Sequence, residues 1–117
     1  MLFRSDTKAV VLGEGMGAVK IAARALQSQG IDAKWYQAWG KNFPQNRPMT
    51  PAELQAALNR NERWIRLKID EGFAFYDLGF DPTRSVRSRF YELEQSLIRE
   101  ARAVGKTVKT IPILRSN

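Results

Sequence analysis

The chain has 117 residues, with 19 Lys and Arg against 12 Asp and Glu for a formal net charge of +7, and it has neither cysteine nor histidine. That length fits one domain over residues 1–117, large enough to bury a core without covalent staples. The composition excludes disulfides, thiolate chemistry, the usual zinc ligands and every Ser/His or Cys/His nucleophile, so a metal would be a hard cation on carboxylates, magnesium or calcium rather than zinc.

Lys8–Leu12 is a continuous, β-branched apolar run ended by glycine and predicts a buried strand. Gly13, Gly15 and Gly17 alternate directly after it, and a helical pattern over Ala18–Gln29 follows, with Val19, Ala22, Ala23 and Leu26 on one face and Gly30 as its C-cap. Such strand-to-helix turns hold phosphate through free backbone N–H groups and the helix dipole. Here Glu14 stands in the middle of the turn and would repel a bound pyrophosphate. Gly13, Gly15 and Ala18 match G-x-G-x-x-A, yet the acid that should read a ribose is missing from the end of the next strand. Asp32 lies at its start, and Tyr36, Gln37 and Trp39 occupy its end. The plainer reading of the glycines is that they let the helix turn close to the sheet.

Asp32–Trp39 is expected as the second strand and Gly40–Met49 as a polar loop. Lys41 and Arg47 interleaved with aromatics suit nucleic acid, while Trp35 and Trp39 could equally be packing. Thr50-Pro51-Ala52-Glu53 is a capping box with proline at the first helical position. The helix it opens runs to about Glu71, with Leu54, Ala57, Leu58, Trp64, Ile65 and Ile69 inward and Asn61 and Lys68 at the margin. Phe73–Phe80 predicts a third strand and Asp81–Arg87 a second polar loop. Ser88 caps a third helix with Phe90, Leu93, Leu97, Ala101 and Val104 inward, and Lys106–Leu114 predicts a fourth strand that Pro112 places at a sheet edge.

The order β-α-β-α-β-α-β implies an α/β fold: a mostly parallel four-stranded sheet with helices on its faces. Ligands bind beyond the carboxyl ends of such strands, where the loops Gly13–Gly17, Ala38–Arg47 and Asp77–Arg89 converge. Arg84, Arg87 and Arg89 fall in six residues before a helix start and suit an anionic group. Surface salt bridges and dipole-pairing acids explain the same residues without a ligand. Four strand-end carboxylates, Glu14, Asp77, Asp81 and Glu94, converging among arginines would make a phosphoryl-transfer site. Basic excess sits in residues 1–50 and 81–117, the footprint of a phosphate-rich or acidic partner. No apolar run is long enough to span a membrane and Met1–Asp6 lacks a signal-peptide core, so the chain is expected to be soluble and cytosolic where it acts.

Taken together, Leu12-Gly13-Glu14-Gly15-Met16, Tyr36, Tyr76-Asp77-Leu78-Gly79-Phe80-Asp81 and Ser88-Arg89-Phe90-Tyr91-Glu92-Leu93-Glu94 resemble the C-terminal toxin domains of bacterial polymorphic toxins of the contact-dependent inhibition and Rhs types. The resemblance spans about residues 9 to 100. It implies a domain exported within a larger protein, acting in the cytoplasm of a neighbouring bacterium and neutralised by a cognate, here acidic, immunity protein. It also implies a nuclease, often one acting on tRNA. The expected activity is cleavage of RNA, preferred over DNA, by a monomeric domain with no cofactor or with Mg2+.

The chemistry assigns Glu14 as base or metal ligand, Asp77 as metal ligand or orienter, Glu94 as partner carboxylate and Arg87 as phosphate clamp. Lys41, Arg47, Arg84, Ser88, Tyr36 and Tyr91 are the substrate-contacting candidates, and Glu14, Asp77 and Asp81 the ligands of any metal. Two other readings stay open: a toxin that hydrolyses NAD, and a non-catalytic module that binds an acidic protein. The opening glycine loop is expected to hold Glu14 at the mouth of the sheet, facing Asp77 and the arginines of the third loop.

Overall fold

The computed structural model describes residues 8–37 and 47–115. Its elements run β1 (Lys8–Leu12), α1 (Met16–Ser28), β2 (Asp32–Lys34), α2 (Pro51–Asp70), β3 (Ala74–Asp77), α3 (Arg89–Ala103) and β4 (Thr110–Pro112). The four strands form one parallel sheet in the order β2-β1-β3-β4. The expected α/β class, parallel pairing and element order are all present, and Pro112 lies on an edge strand, where its missing N–H breaks no ladder.

Alternation along β1 explains its unbroken apolar run. Val10 and Leu12 pack with Phe75, Ile65 and Ile98 beneath α2 and α3, while Val11 packs with Val19, Ala23 and Ala33 beneath α1. Both faces of the central strand are covered, so no polar position remains. The chain leaves β1 toward β2 through α1 and returns past β1 to β3 through α2. The loops after β1 and β3 therefore part at the carboxyl edge, where α/β sheets open a crevice.

Thr50 caps α2 through the expected reciprocal bonds with Glu53, and Ser88 caps α3 by accepting from the Tyr91 N–H. Arg47 makes a bidentate pair with Glu53 at 2.6 and 2.8 Å. That pair, with the Thr50 backbone donor, holds the Glu53 carboxyl down to about 2.

Five expectations are corrected. α1 begins at Met16, two residues early, because Gly15 at φ 91° turns the chain directly into the helix. β2 ends at Lys34 and β3 spans only Ala74–Asp77, the stretches that pair with β1. The buried stripe of α3 is Tyr91, Glu94, Leu97, Ile98 and Ala101, about one residue round from the expected face, and it leaves Val104 71% exposed. Asn61, placed at the margin of α2 by sequence, is fully buried.

Gly13 carries the tightest close approach in the β1 turn. At φ 153° a Cβ there would stand 2.7 Å from the Leu78 Cβ. Gly13→Ala is expected to destabilise the fold by about 1–3 kcal/mol through overpacking, read from urea unfolding.

Candidate functional site

Glu14 leaves β1 and turns into the protein. It is fully buried; its Oε1 accepts from the Asp81 N–H at 2.8 Å and its Oε2 from the Ser88 N–H at 2.6 Å. Arg87 Nη1 lies 2.9 Å from Oε1. Burial by itself raises the pKa of this carboxyl. The Ser88 and Asp81 backbone donors and the Arg87 and Arg84 charges outweigh it, holding the group below the ordinary range. Glu14 thus meets the third loop, as expected, and does so as the anchor on which that loop is folded.

Arg87 completes the anchor. Its Nη2 donates to the carbonyls of Arg84 at 2.6 Å and Asp81 at 3.3 Å, and its guanidinium lies 4.8 Å over the Phe80 ring. Asp81 organises the turn by accepting from the Thr83 N–H and hydroxyl. Those bonds, Thr83 Oγ1 first, lower its pKa.

Asp77 is tied to a different set of donors. Tyr91 Oη sits 2.8 and 2.9 Å from its two carboxylate oxygens, Gln95 Nε2 lies 3.1 Å from one of them, and the Gly79 N–H donates to the other at 2.8 Å. Burial first, then this bond to Asp77, raises the Tyr91 pKa well above the ordinary phenol. Five of the sequence candidates therefore fall into two closed networks: Glu14 with Arg87 and Asp81 of the third loop, and Asp77 with Tyr91.

Glu14, Asp77 and Asp81, the candidate ligands of any metal, do not gather into one cluster in this structure. Each carboxylate is engaged by separate protein donors. Among the described residues, no three or more Asp, Glu, His or Cys side chains gather to hold one.

The open space lies beside these networks. A cleft of about 520 Å³ at the carboxyl edge of β1 and β2 is lined by Gly13 and Gly15 of the turn, Lys20 of α1, Tyr36 and Gln37 after β2, Arg84 and Ser88 of the third loop, and Phe90 and Glu94 of α3. Of the predicted site residues, Arg84, Ser88, Tyr36 and Glu94 face it. Arg47 lies on Glu53 at the start of α2, and Lys41 lies outside the described residues. The Tyr36 hydroxyl donates to the Ala57 carbonyl at 2.9 Å, and its ring lies 6.3 Å from Phe90 at 30° and 5.9 Å from Trp64.

Glu94 is the chemically distinctive group. It is 7% exposed and lines the cleft. Burial pushes its carboxyl up to about 8; the Asn61 amide opposes that shift and the Asp77 charge adds to it. Asn61 is fully buried, close enough to act on Glu94, and neither its nitrogen nor its oxygen reaches hydrogen-bond geometry with any described residue. A carboxyl that is mostly neutral near pH 7 thus lines the cleft, with a spare amide buried near it.

Sequence reasoning passed over Lys20, Phe90 and Asn61. Lys20 had a signal in its position one turn into the helix that follows the glycines. Asn61 had one as an amide inside an otherwise apolar stripe. Phe90 had none, because a first-turn aromatic reads as core.

Among the described residues, no helix is long and apolar enough to cross a membrane. No protein-family model, curated protein sequence or solved structure matches the chain.

Proposed function

We propose that this chain is a nuclease toxin domain that cleaves RNA, with Glu94 as its proton-transfer group. The observation that carries the reading is a buried carboxyl, pushed up to about 8, in a cleft that Lys20 and Arg84 also line. A base titrating near the working pH combines a usable ionised fraction, roughly a tenth at pH 7, with a strong pull on a proton.

The reaction needs no histidine. Ionised Glu94 takes the proton of a ribose 2′-hydroxyl, the 2′-oxygen bonds to the adjacent phosphorus, and the bond from phosphorus to the 5′-oxygen breaks. The departing oxygen takes a proton from water, leaving a 2′,3′-cyclic phosphate and a 5′-hydroxyl end. Lys20 and Arg84 offset the charge that grows on the phosphorane oxygens. Glu14, Asp77 and Arg87, the other catalytic candidates, support this cleft by holding its walls. The polymorphic-toxin resemblance supports a tRNA-type substrate, action in the cytoplasm of a neighbouring bacterium, and an acidic immunity protein drawn to the +7 chain.

Hydrolysis of NAD is the second reading. It is favoured by the N-terminus of α1, which opens at the cleft with no side-chain cap and no acid in its first turn. Incubation of the purified chain with total RNA and with NAD separates the two. Fragments ending in 2′,3′-cyclic phosphate, lost in Glu94→Gln, are the expected result. Loss of NAD with intact RNA overturns it. Sequencing of RNA ends after induced expression in bacteria identifies the bond cut.

A further inference from the structure

On sequence grounds, Glu14 argues against a phosphate in the glycine turn. The fold removes that objection. Glu14 points away into the protein, and the Ser88 and Asp81 amides together with Arg87 occupy its oxygens. Of the turn, Gly13, Gly15 and Met16 line the cleft. Gly15 accepts the first helical bond from Val19, and the preceding amides of Met16, Gly17 and Ala18 have no backbone acceptor among the described residues. Lys20 lies one turn further on and Arg84 opposite. Arg115 stands behind the loop, its Nη2 donating to the Gly79 carbonyl at 2.8 Å and its buried Nε without a partner among the described residues.

A second observation points to a ligand independently. Glu94 is more than nine-tenths buried, is aimed into the same cleft, and makes no hydrogen bond or ion pair with a described residue at bonding distance; Asn61 beside it is equally unsatisfied. Buried polar groups lacking partners cost stability and are retained where something completes them. Between the two ends, Tyr36 and Phe90 present an aromatic wall. The cleft volume falls within the range of small-molecule sites.

We propose that the cleft holds one ribonucleotide unit: its 3′-phosphate on the first amides of α1 between Lys20 and Arg84, its base against the Phe90–Tyr36 wall, and its ribose over Glu94. This rests on the RNA-cleaving reading and deepens it by naming the nucleotide on the 5′ side of the cut bond as the one recognised. The arrangement places the 2′-hydroxyl at the carboxyl and the phosphate at the cations, which the reaction requires of a single nucleotide. An RNA chain supplies a nucleotide of this kind; NAD, whose phosphates sit on its 5′ carbons, is the competing probe.

The test is titration of the full-length, 15N-labelled chain with adenosine 3′-monophosphate, uridine 3′-monophosphate, their 2′-deoxy forms, NAD and inorganic phosphate. The amides of Gly13 to Ala18 are the reporters. The 3′-ribonucleotides are expected to shift those amides and to bind about tenfold tighter than phosphate or NAD, with the 2′-deoxy forms weaker. Lys20→Ala is expected to weaken every phosphate-bearing probe about fivefold, and Phe90→Leu to weaken the nucleotides but not phosphate.

Unmoved Gly13–Ala18 amides, or equal binding in Lys20→Glu, overturn the subsite. Phosphate binding as tightly as the nucleotides overturns the aromatic wall, and tighter binding of NAD overturns RNA as the source. RNA cleavage without mononucleotide binding removes the subsite and leaves the activity standing. Mononucleotide binding with intact RNA does the reverse.

Discussion

Replacing Glu94 by glutamine is expected to lower the rate of RNA cleavage by about a hundred- to ten-thousandfold and, above neutral pH, to stabilise the protein. The two effects share one cause. In the unfolded chain a glutamate ionises near 4.5, whereas in the fold Glu94 holds its proton to about 8. Between those values the folded state binds more protons than the unfolded one, so stability falls as pH rises through that window. Glutamine carries no such proton and escapes the slope. The variant therefore gains on the wild type from about pH 5 upward and levels off above pH 8. The gain is on the order of a few kcal/mol, at about 1.4 kcal/mol per pKa unit. Urea unfolding of both proteins at pH 5 and pH 8 measures it. An identical difference at the two pH values would mean that Glu94 ionises in its ordinary range, and the proton-transfer role would go with it.

Glu14→Ala works in the opposite direction. It strips the partner from two backbone donors, those of Asp81 and Ser88, and removes the carboxylate paired with Arg87. Unsatisfied buried donors and an uncompensated cation are among the costliest single changes. A fall in melting temperature of about 10 °C or more is expected. Activity should fall as a consequence, because Arg84 and Ser88 reach the cleft from the loop that Glu14 anchors.

Acid brings out the same dependence. The Glu14 pKa is held below 4.5 in the fold, so its contribution is complete above that pH and is lost as pH falls through the lower folded value. Thermal melts of wild type and Glu14→Gln from pH 7 to pH 3 should converge at the acid end. Curves that stay parallel would show that Glu14 contributes no pH-dependent stability. Retention of full stability in Glu14→Ala would return Glu14 to the list of accessible catalytic groups.

The starts of α2 and α3 were legible because local chemistry sets them. Thr50-Pro51-Ala52-Glu53 and Ser88 name their own N-caps, and each structural cap forms on those residues. The strand cores were legible where burial on both faces leaves no polar position, as in Lys8–Leu12. Strand ends were not, because they depend on the length of the partner: β3 stops at Asp77 opposite Leu12 although its apolar pattern continues to Phe80. Within the site, sequence located the loops but not the role of each residue in them. A carboxylate in a loop reads the same whether it faces solvent, like an active base, or folds back beneath its neighbours. Glu14 and Asp77 do the latter, accepting from donors in α3 and its leading loop, 74 positions away for Ser88 and Glu14 and 14 for Tyr91 and Asp77.

The sequence by itself determined the element order, the parallel sheet and the edge on which polar residues collect, since those follow from periodicity, capping chemistry and crossover length. It also determined that any chemistry here proceeds without histidine or cysteine. Only the tertiary structure decided which carboxyl stands over open space. Glu14, Asp77 and Glu94 each carry a carboxyl, and what separates them is the number of donors that other elements bring to each. Glu14 and Asp77 each receive several and are closed off by them. Glu94, set beside Asn61 on the buried stripe of α3, receives almost none and faces the cleft with its proton.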